Sequence, residues 1–211
     1  MTVFVYIVIL LFSAIIHEVA HGYVAYLRGD DTAKMARRIT LNPIPHIELF
    51  GTILLPTILF LLKVPVLLGW AKPVPLNYKN LKNPRKDIPL VCLAGPASNI
   101  LLAFLSGLGM HIVKYFPNFE LMHNRLIEHS LYMMIVINII LAVINLIPVP
   151  PFDGSKIIIY FLPEKIAARY LNLNPYICLM LLCVILSSEI VWKFIYSIAN
   201  FFVATSRMIA F

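Results

Sequence analysis

Long apolar stretches separated by short polar and basic ones dominate the pattern of this 211-residue chain. The first stretch, residues 2–27, carries no acidic or basic charge before Glu18. Runs of about 20 apolar residues are long enough to cross the hydrocarbon core of a bilayer as helices. Further apolar runs at 88–116, 130–147 and 175–209 therefore predict an all-α polytopic membrane protein with about four to six transmembrane segments.

The apolar run from Phe50 to Trp70 differs from an ordinary membrane helix. Pro56 and Pro65 interrupt it and Lys63 lies inside it. Proline inside a helix removes a backbone hydrogen bond and kinks or breaks the helix. Basic residues flank the run on both sides, and such flanks stay in the cytoplasm. We predict a re-entrant or broken hairpin, which protein or a water-filled cavity must cover. The alternative is a single span with the rest of the topology inverted.

Two later breaks complete the predicted layout. Three prolines within residues 148–151 end the fourth apolar segment and predict a short extended stretch. The last apolar run, 175–209, is too long for one untilted span, and Ser187-Ser188-Glu189 predicts a break within it. We expect one span there and a second apolar helix of undetermined depth.

Composition and charge agree with a membrane location. The chain is 61% hydrophobic, whereas a soluble domain is about 45–50% apolar. Its net charge is +7, but the basic residues are clustered beside the apolar runs, as topology signals are. They place the end of the first segment in the cytoplasm. The lipid bilayer is therefore the expected surrounding, and no motif indicates a nucleic-acid partner.

The first apolar segment contains a motif with chemistry, His17-Glu18-Val19-Ala20-His21. On a helix, HExxH places two histidines on one face as metal ligands and a glutamate beside them as a base. Ionisable residues at membrane depth indicate function, because burying them there is costly. A catalytic zinc site usually has a third protein ligand, often a carboxylate.

The chain has ten acidic residues, and those other than Glu18 are candidates for that carboxylate. Two of them lack any special context: Glu164 and Glu189. Three lie in basic, polar stretches and are expected to be solvated: Asp30, Asp31 and Asp87. Two fall in a predicted external loop: Glu120 and Glu128. Glu48 remains ambiguous. Asp153 follows the proline-broken helix end and precedes Gly154, which puts it level with the histidines in the predicted topology.

Three motifs in the chain together resemble those of the site-2 protease family of intramembrane zinc metalloproteases. They are His17-Glu18-xx-His21, Gly95-Pro96-xx-Asn99 and Asn145-xx-Pro148-xxxx-Asp153-Gly154. They occur in family order and cover roughly residues 1–160. The segment Gly69-Trp70-Ala71-Lys72-Pro73-Val74-Pro75 resembles the small bacterial branch, without PDZ or CBS domains.

The resemblance implies that His17, His21 and Asp153 bind one Zn2+ per chain. It implies that Glu18 is the general base and acid for a zinc-activated water, and that peptide bonds are cut within or near transmembrane helices of membrane-embedded substrate proteins. This is regulated intramembrane proteolysis. Asn145 and Asn99 are candidates for substrate or oxyanion binding; the alternative for each is an interhelical hydrogen bond.

The same resemblance implies the overall organisation. We expect a single integral-membrane metalloprotease domain over residues 1–211, with a catalytic core of about 1–160 and C-terminal membrane helices at about 175–209. We expect a multi-pass protein of the bacterial inner membrane whose active site faces the cytoplasmic side. The oligomeric state carries no signal in the sequence.

Two other classes of function stay open at this point. In a transporter or channel, the same intramembrane ionisable residues would bind a permeating ion, although no internal repeat is present. An inactive homologue would act as a membrane chaperone or scaffold. His46 is either a fourth ligand, a substrate contact or a hydrogen-bonded structural residue.

Overall fold

The computed structural model describes residues 2–62, 69–115, 125–171 and 173–208. Within these ranges the chain is helical with irregular connections and no strand. The α-helices are α1 Thr2–Leu27, α2 Thr32–Met35, α3 Leu55–Leu61, α4 Pro84–Tyr115, α5 Arg125–Leu146, α6 Asp153–Ile159, α7 Glu164–Leu171, α8 Pro175–Ser187 and α9 Glu189–Met208. Short 3-10 helices lie at Ile44–His46 and Tyr78–Asn80, and a π-helix lies at Leu49–Leu54.

Three of the described helices, α1, α4 and α5, are long and apolar enough to cross a membrane. Helices α8 and α9 form a pair bent by 64° that would add a fourth span. The bend falls at Ser188, where the sequence predicted a break. The all-α polytopic prediction is confirmed, with the number of spans at its lower limit in the described part of the chain.

Helix α4 occupies the centre of the bundle and packs against α1, α5 and α9. A buried apolar cluster joins α4, α5 and α9: Ala103, Ile135, Ile139, Ile195 and Ala199. Its alanines let the helix backbones approach closely, which is how membrane helices associate when lipid is as apolar as the side chains. Large apolar side chains on the outer face of α4 stay exposed, as contact with lipid requires: Leu101, Phe104, Leu105 and Ile112.

The segment predicted to form a hairpin has its two ends side by side. The Trp70 amide donates to the Gly51 carbonyl at 3.1 Å, and the Thr52 hydroxyl donates to the Trp70 carbonyl at 2.8 Å. The π-helix and α3 between them are too short to cross a bilayer. This is the arrangement that a re-entrant hairpin requires. Residues 63–68, within the segment predicted to form the hairpin, lie outside the described residues.

Two of the three acidic residues expected to be solvated are buried instead. Asp30 is 0% and Asp87 is 3% exposed, whereas Asp31 is exposed. Asp30 accepts a hydrogen bond from the Asn77 amide, and Asp87 accepts one from the Asn83 amide. These donors compensate the lost hydration, which is why a charge can be buried there. The expectation was therefore wrong for Asp30 and Asp87.

Candidate metal centre

Helix α1 and the first residue of α6 bring three potential metal ligands together. His17 and His21 are one turn apart on α1, so they share a face. His17 Nε2 lies 3.2 Å and His21 Nε2 lies 3.0 Å from Asp153 Oδ2, and the two Nε2 atoms are 3.0 Å apart. All three residues are buried. They are the group of three metal-ligating side chains that the described residues bring within reach of one ion.

The hydrogen bonds at the two Nδ1 atoms determine whether each Nε2 atom presents a proton or a lone pair. His21 Nδ1 lies 2.7 Å from the Val91 carbonyl, and His17 Nδ1 lies 2.6 Å from Asn99 Oδ1. Both partners are acceptors, so in the neutral rings each Nδ1 carries the proton and each Nε2 presents a lone pair. Two lone pairs and the Asp153 carboxylate then converge on one point. A cation satisfies this arrangement, and two imidazoles with one carboxylate suit zinc.

Two glycines make room for the centre. A methyl group on Gly95 of α4 would lie 2.4 Å from His21 Nε2 and 2.5 Å from His17 Nε2. A methyl group on Gly154 would lie 2.2 Å from the Leu146 carbonyl oxygen. A side chain at position 95 would force α4 and the two imidazoles apart. A side chain at position 154 would force α6 away from the end of α5. The glycines of the second and third motifs therefore have a steric role.

The Asp153 carboxylate, the third candidate ligand, is held in its charged form. Burial by itself raises the pKa of Asp153, but the adjacent histidine nitrogens and the positive charge of Lys156 outweigh burial and hold the pKa below its ordinary range. Lys156 Nζ lies 3.5 Å from Asp153 Oδ1, the oxygen that points away from the histidines. Metal ligands must be deprotonated, and this environment favours that state.

A buried polar network supports His17 from behind. Asn99 donates from Nδ2 to Asn138 Oδ1 at 2.8 Å, and Asn138 donates to the Ser13 hydroxyl at 2.9 Å. Asn99 thus makes the interhelical bonds that were its alternative interpretation. Sequence reasoning missed Asn138 and Ser13. The signal was present, because Asn138 lies seven residues before Asn145 and so on the same face of an apolar helix.

The remaining candidates make hydrogen bonds elsewhere and do not belong to the cluster of three. Asn145 donates to the Leu141 carbonyl of its own helix at 2.9 Å and is half-buried. His46 is buried, with Nε2 3.0 Å from the Thr40 carbonyl, and stands apart from the three grouped ligands. Burial lowers the pKa of His46. Glu48 fastens the hairpin, because its carboxylate accepts from the Trp70 indole at 2.7 Å.

Glu18 stands beside the ligands on α1 without belonging to them. Its Oε2 accepts a hydrogen bond from the backbone amide of Val74 at 2.8 Å. The carboxylate therefore has one anchored oxygen and one that this bond leaves free. Nothing in the periodicity of the sequence indicated the contact, because Val74 lies 56 residues away in an irregular segment.

Comparison with known proteins agrees with this geometry. The family model described as "Peptidase family M50" matches residues 5–186 of this chain. The chain belongs to peptidase family M50. It is a zinc metallopeptidase of the site-2 type, as the three motifs predicted, and a multi-pass membrane protein.

Two curated relatives of this M50 peptidase carry related names. "Putative zinc metalloprotease YwhC" of Bacillus subtilis is 37% identical over 191 residues, which is 88% of this chain and 83% of the relative. "Putative zinc metalloprotease Rip2" of Mycolicibacterium smegmatis is 27% identical over 144 residues, 68% of this chain and 52% of that protein. No solved structure matches the chain.

Proposed function

We propose that this M50 peptidase hydrolyses peptide bonds within or near transmembrane helices of membrane-embedded substrate proteins. The observation that carries the proposal is the depth of the ligand cluster. His17 lies ten residues and His21 six residues before the end of α1. At a rise of 1.5 Å per residue these positions are about 15 Å and about 9 Å inside a membrane-length helix.

The metal assignment rests on the donor set. His17, His21 and Asp153 would hold one Zn2+ per chain, and the Asn99 and Val91 oxygens would keep the imidazoles turned toward it. When bound, zinc would supply a Lewis acid that activates water and polarises the peptide carbonyl. The chain supplies converging lone pairs and the anion that balances part of the charge.

Glu18 is the proposed general base and acid. The carboxylate oxygen not used by the Val74 amide would take a proton from the attacking water and return one to the leaving amine. Glu18 follows His17 directly, so this carboxylate stands beside the reacting atoms without occupying a ligand position.

The two asparagines of the motifs receive different proposed roles. Asn99 is engaged with His17 and Asn138 and would orient a ligand. Asn145 is half-buried and donates to the Leu141 carbonyl of its own helix, so it can turn toward a substrate. Asn145 is the proposed donor to the substrate backbone or to the developing oxyanion.

The proposed location is the bacterial inner membrane, with the centre toward the cytoplasmic side. Basic residues follow α1 and flank the hairpin on both sides, and the loops that carry them are expected to stay inside. The ligands on α1 lie nearer that end of the helix. A substrate helix would therefore be cut toward its cytoplasmic end.

The decisive experiment combines cleavage with metal content. Wild type, Glu18→Gln and the exposed-site control Glu128→Gln are purified in detergent and given a model membrane protein with one transmembrane helix. We expect about one zinc per chain in all three, with cleavage by wild type and the control only.

Each other outcome contradicts part of the proposal. Freshly prepared protein without zinc would overturn the metal assignment and favour an ion pathway. Zinc without cleavage of any membrane substrate would favour a scaffold. Equal cleavage by Glu18→Gln and wild type would remove Glu18 from the chemistry.

A further inference from the structure

An extended segment crosses α1 beside the proposed base. We call residues 69–77 the strap; within it the structure has neither helix nor strand. The Val74 amide of the strap donates to Glu18 Oε2 at 2.8 Å. Pro73 and Pro75 flank Val74 and have no amide hydrogen, so Val74 is the only backbone donor between Lys72 and Leu76. The sequence thus presents a single N–H group at the level of Glu18.

The strap is tied down on both sides of that amide. On one side, Arg38 Nη2 donates to the Lys72 carbonyl at 2.8 Å and to the Pro73 carbonyl at 3.4 Å. On the other side, the Asn77 amide donates to Asp30 Oδ2 at 2.6 Å. Asp30 and Arg38 both lie in the connection that follows α1. Helix α1 carries Glu18, and the connection that follows it carries Asp30 and Arg38, which hold the strap and its Val74 amide in place.

The backbone turns sharply just before Arg38. Arg37 has φ of 54° in the left-handed region, which costs energy for a residue other than glycine. The turn at the end of α2 is closed by the Arg38 amide, which donates to the Ala33 carbonyl at 2.9 Å. The backbone thus turns sharply at the residue before the one that grips the strap.

Val74 itself is seated against α1. Its side chain is 6% exposed, and a methyl group on Gly22 would lie 3.0 Å from Val74 Cγ1. The strap cannot move toward α1, and Arg38 and Asp30 restrain it from moving away. The Val74 amide is held at a defined height beside Glu18.

We propose that Arg38 is a positioning residue for Glu18, acting through the strap and the Val74 amide. The proposal rests on the proposed function of Glu18 as the base. Fixing one carboxylate oxygen leaves the other aimed at the water, and small misplacements of a catalytic group lower the rate steeply. Arg38 would thus affect the chemical step without contacting substrate or metal.

The first test reads the strap directly by hydrogen–deuterium exchange and mass spectrometry of the full-length protein. Overlapping peptides that end before and after Val74 isolate its amide. We expect slow exchange in wild type and in Glu18→Gln, which keeps an acceptor oxygen. We expect exchange at least about tenfold faster in Glu18→Ala and in Arg38→Met. Arg37→Met, which removes the same charge at the exposed neighbouring position, is the matched control and should exchange like wild type.

The second test separates positioning from structure by kinetics. We expect Arg38→Met to lower kcat by roughly ten- to a hundredfold, with KM, zinc content and exchange in α4 and α5 unchanged. Arg38→Lys, which keeps a donor to the Lys72 carbonyl, should recover part of the loss. Arg37→Met should match wild type in kcat.

Three outcomes would overturn the proposal. Fast Val74 exchange in wild type would remove the contact. Unchanged kcat in Arg38→Met would separate the strap from the chemistry, and a raised kcat would make the strap an inhibitory cover. If wild type cuts no substrate, the proposed function fails, while the exchange experiment still reports whether Arg38 and Glu18 hold Val74.

Discussion

The proposed metal side and the proposed base side of this centre are built by different means. His17, His21 and Asp153 are carried by helices, and their supporting partners sit on helices that pack against one another. Glu18 instead depends on the strap, which has no regular structure. The strap is held by hydrogen bonds from Arg38 and to Asp30, and by the Trp70 and Lys72 amides, which donate to the Gly51 and His46 carbonyls. The metal side therefore draws its precision from helix packing, and the base side from a few polar contacts.

This difference predicts which property a substitution on each side should change. A change on the metal side should lower zinc affinity, because the ligands share one rigid frame. A change on the base side should leave zinc bound and lower the rate of the chemical step. The predictions below use that separation, beginning with the largest effect.

Removal of the carboxylate ligand should have the largest effect. Asp153→Asn keeps the shape of the side chain but loses the charge that balances the metal. We expect loss of stoichiometric zinc and a fall in cleavage of more than about a thousandfold. Zinc quantification by mass spectrometry after gel filtration measures the first, and Glu189→Gln, an exposed acidic site, is the control. Full zinc occupancy in Asp153→Asn would break the assignment of the metal side.

A methyl group on Gly95 should disturb the two imidazoles. In Gly95→Ala the new methyl would lie 2.4 Å from His21 Nε2, so the ring or helix α4 must shift. We expect zinc affinity to fall roughly ten- to a hundredfold, measured by competition with a chelator. Gly109→Ala on the same helix meets only the flexible Leu131 side chain at 3.2 Å and should bind zinc normally. Equal affinity in both variants would contradict the close approach.

Substitutions of the two motif asparagines should change different quantities, zinc affinity for Asn99 and kcat for Asn145. Asn99→Leu removes the acceptor for His17 and should weaken zinc binding roughly tenfold. Asn145→Leu should leave zinc affinity unchanged and lower kcat, because its proposed partner is the substrate. Chelator competition and steady-state kinetics on both variants test this. A loss of kcat in Asn99→Leu with normal zinc affinity would move Asn99 to the substrate side.

Asp30, which accepts the hydrogen bond from the Asn77 amide of the strap, should contribute to stability in a pH-dependent way. Burial raises the pKa of Asp30, but hydrogen bonds from Thr32, Asn77 and Asn80 outweigh it and lower the pKa below its ordinary value. A lowered carboxyl pKa stabilises the fold above the unfolded pKa, and this contribution is lost as pH falls below roughly 4. Asp30→Asn should therefore cost about 1.5–3 kcal/mol at pH 7 and progressively less in acid.

Thermal unfolding in detergent across that pH range measures this contribution. Asp31→Asn is the matched control, because Asp31 is exposed. A difference in Tm between wild type and Asp30→Asn that stays constant into acid would show that Asp30 contributes through shape rather than charge.

The sequence predicted the parts of this molecule that follow a simple period or a strong local rule. HExxH put the two histidines on one helix face, prolines marked the hairpin, and Ser187-Ser188-Glu189 marked the bend between α8 and α9. The family followed from three motifs in order. The metal-ligating roles of His17, His21 and Asp153 stay predictions. So do the roles of Glu18, Asn145 and Asn99.

What the sequence could not reveal depends on distant contacts. Asp30 was expected to be solvated because its neighbours are polar, but its donor, the Asn77 amide, lies 47 residues further on. The Val74 amide is equally remote from Glu18. Backbone donors carry no residue-type signal, so only the three-dimensional structure brings them to the centre. The backbone contacts that hold Glu18 are therefore the part of the site that sequence reasoning missed.

The most direct test of the account is to map the bond that is cut. A membrane protein with one transmembrane helix is incubated with the purified peptidase in isotopically labelled water, and the products are read by mass spectrometry. The account predicts a new carboxyl terminus that carries the label and lies within the substrate's apolar segment, toward its cytoplasmic end. Cleavage confined to loops outside that segment, or product from Glu18→Gln at the wild-type rate, would contradict it.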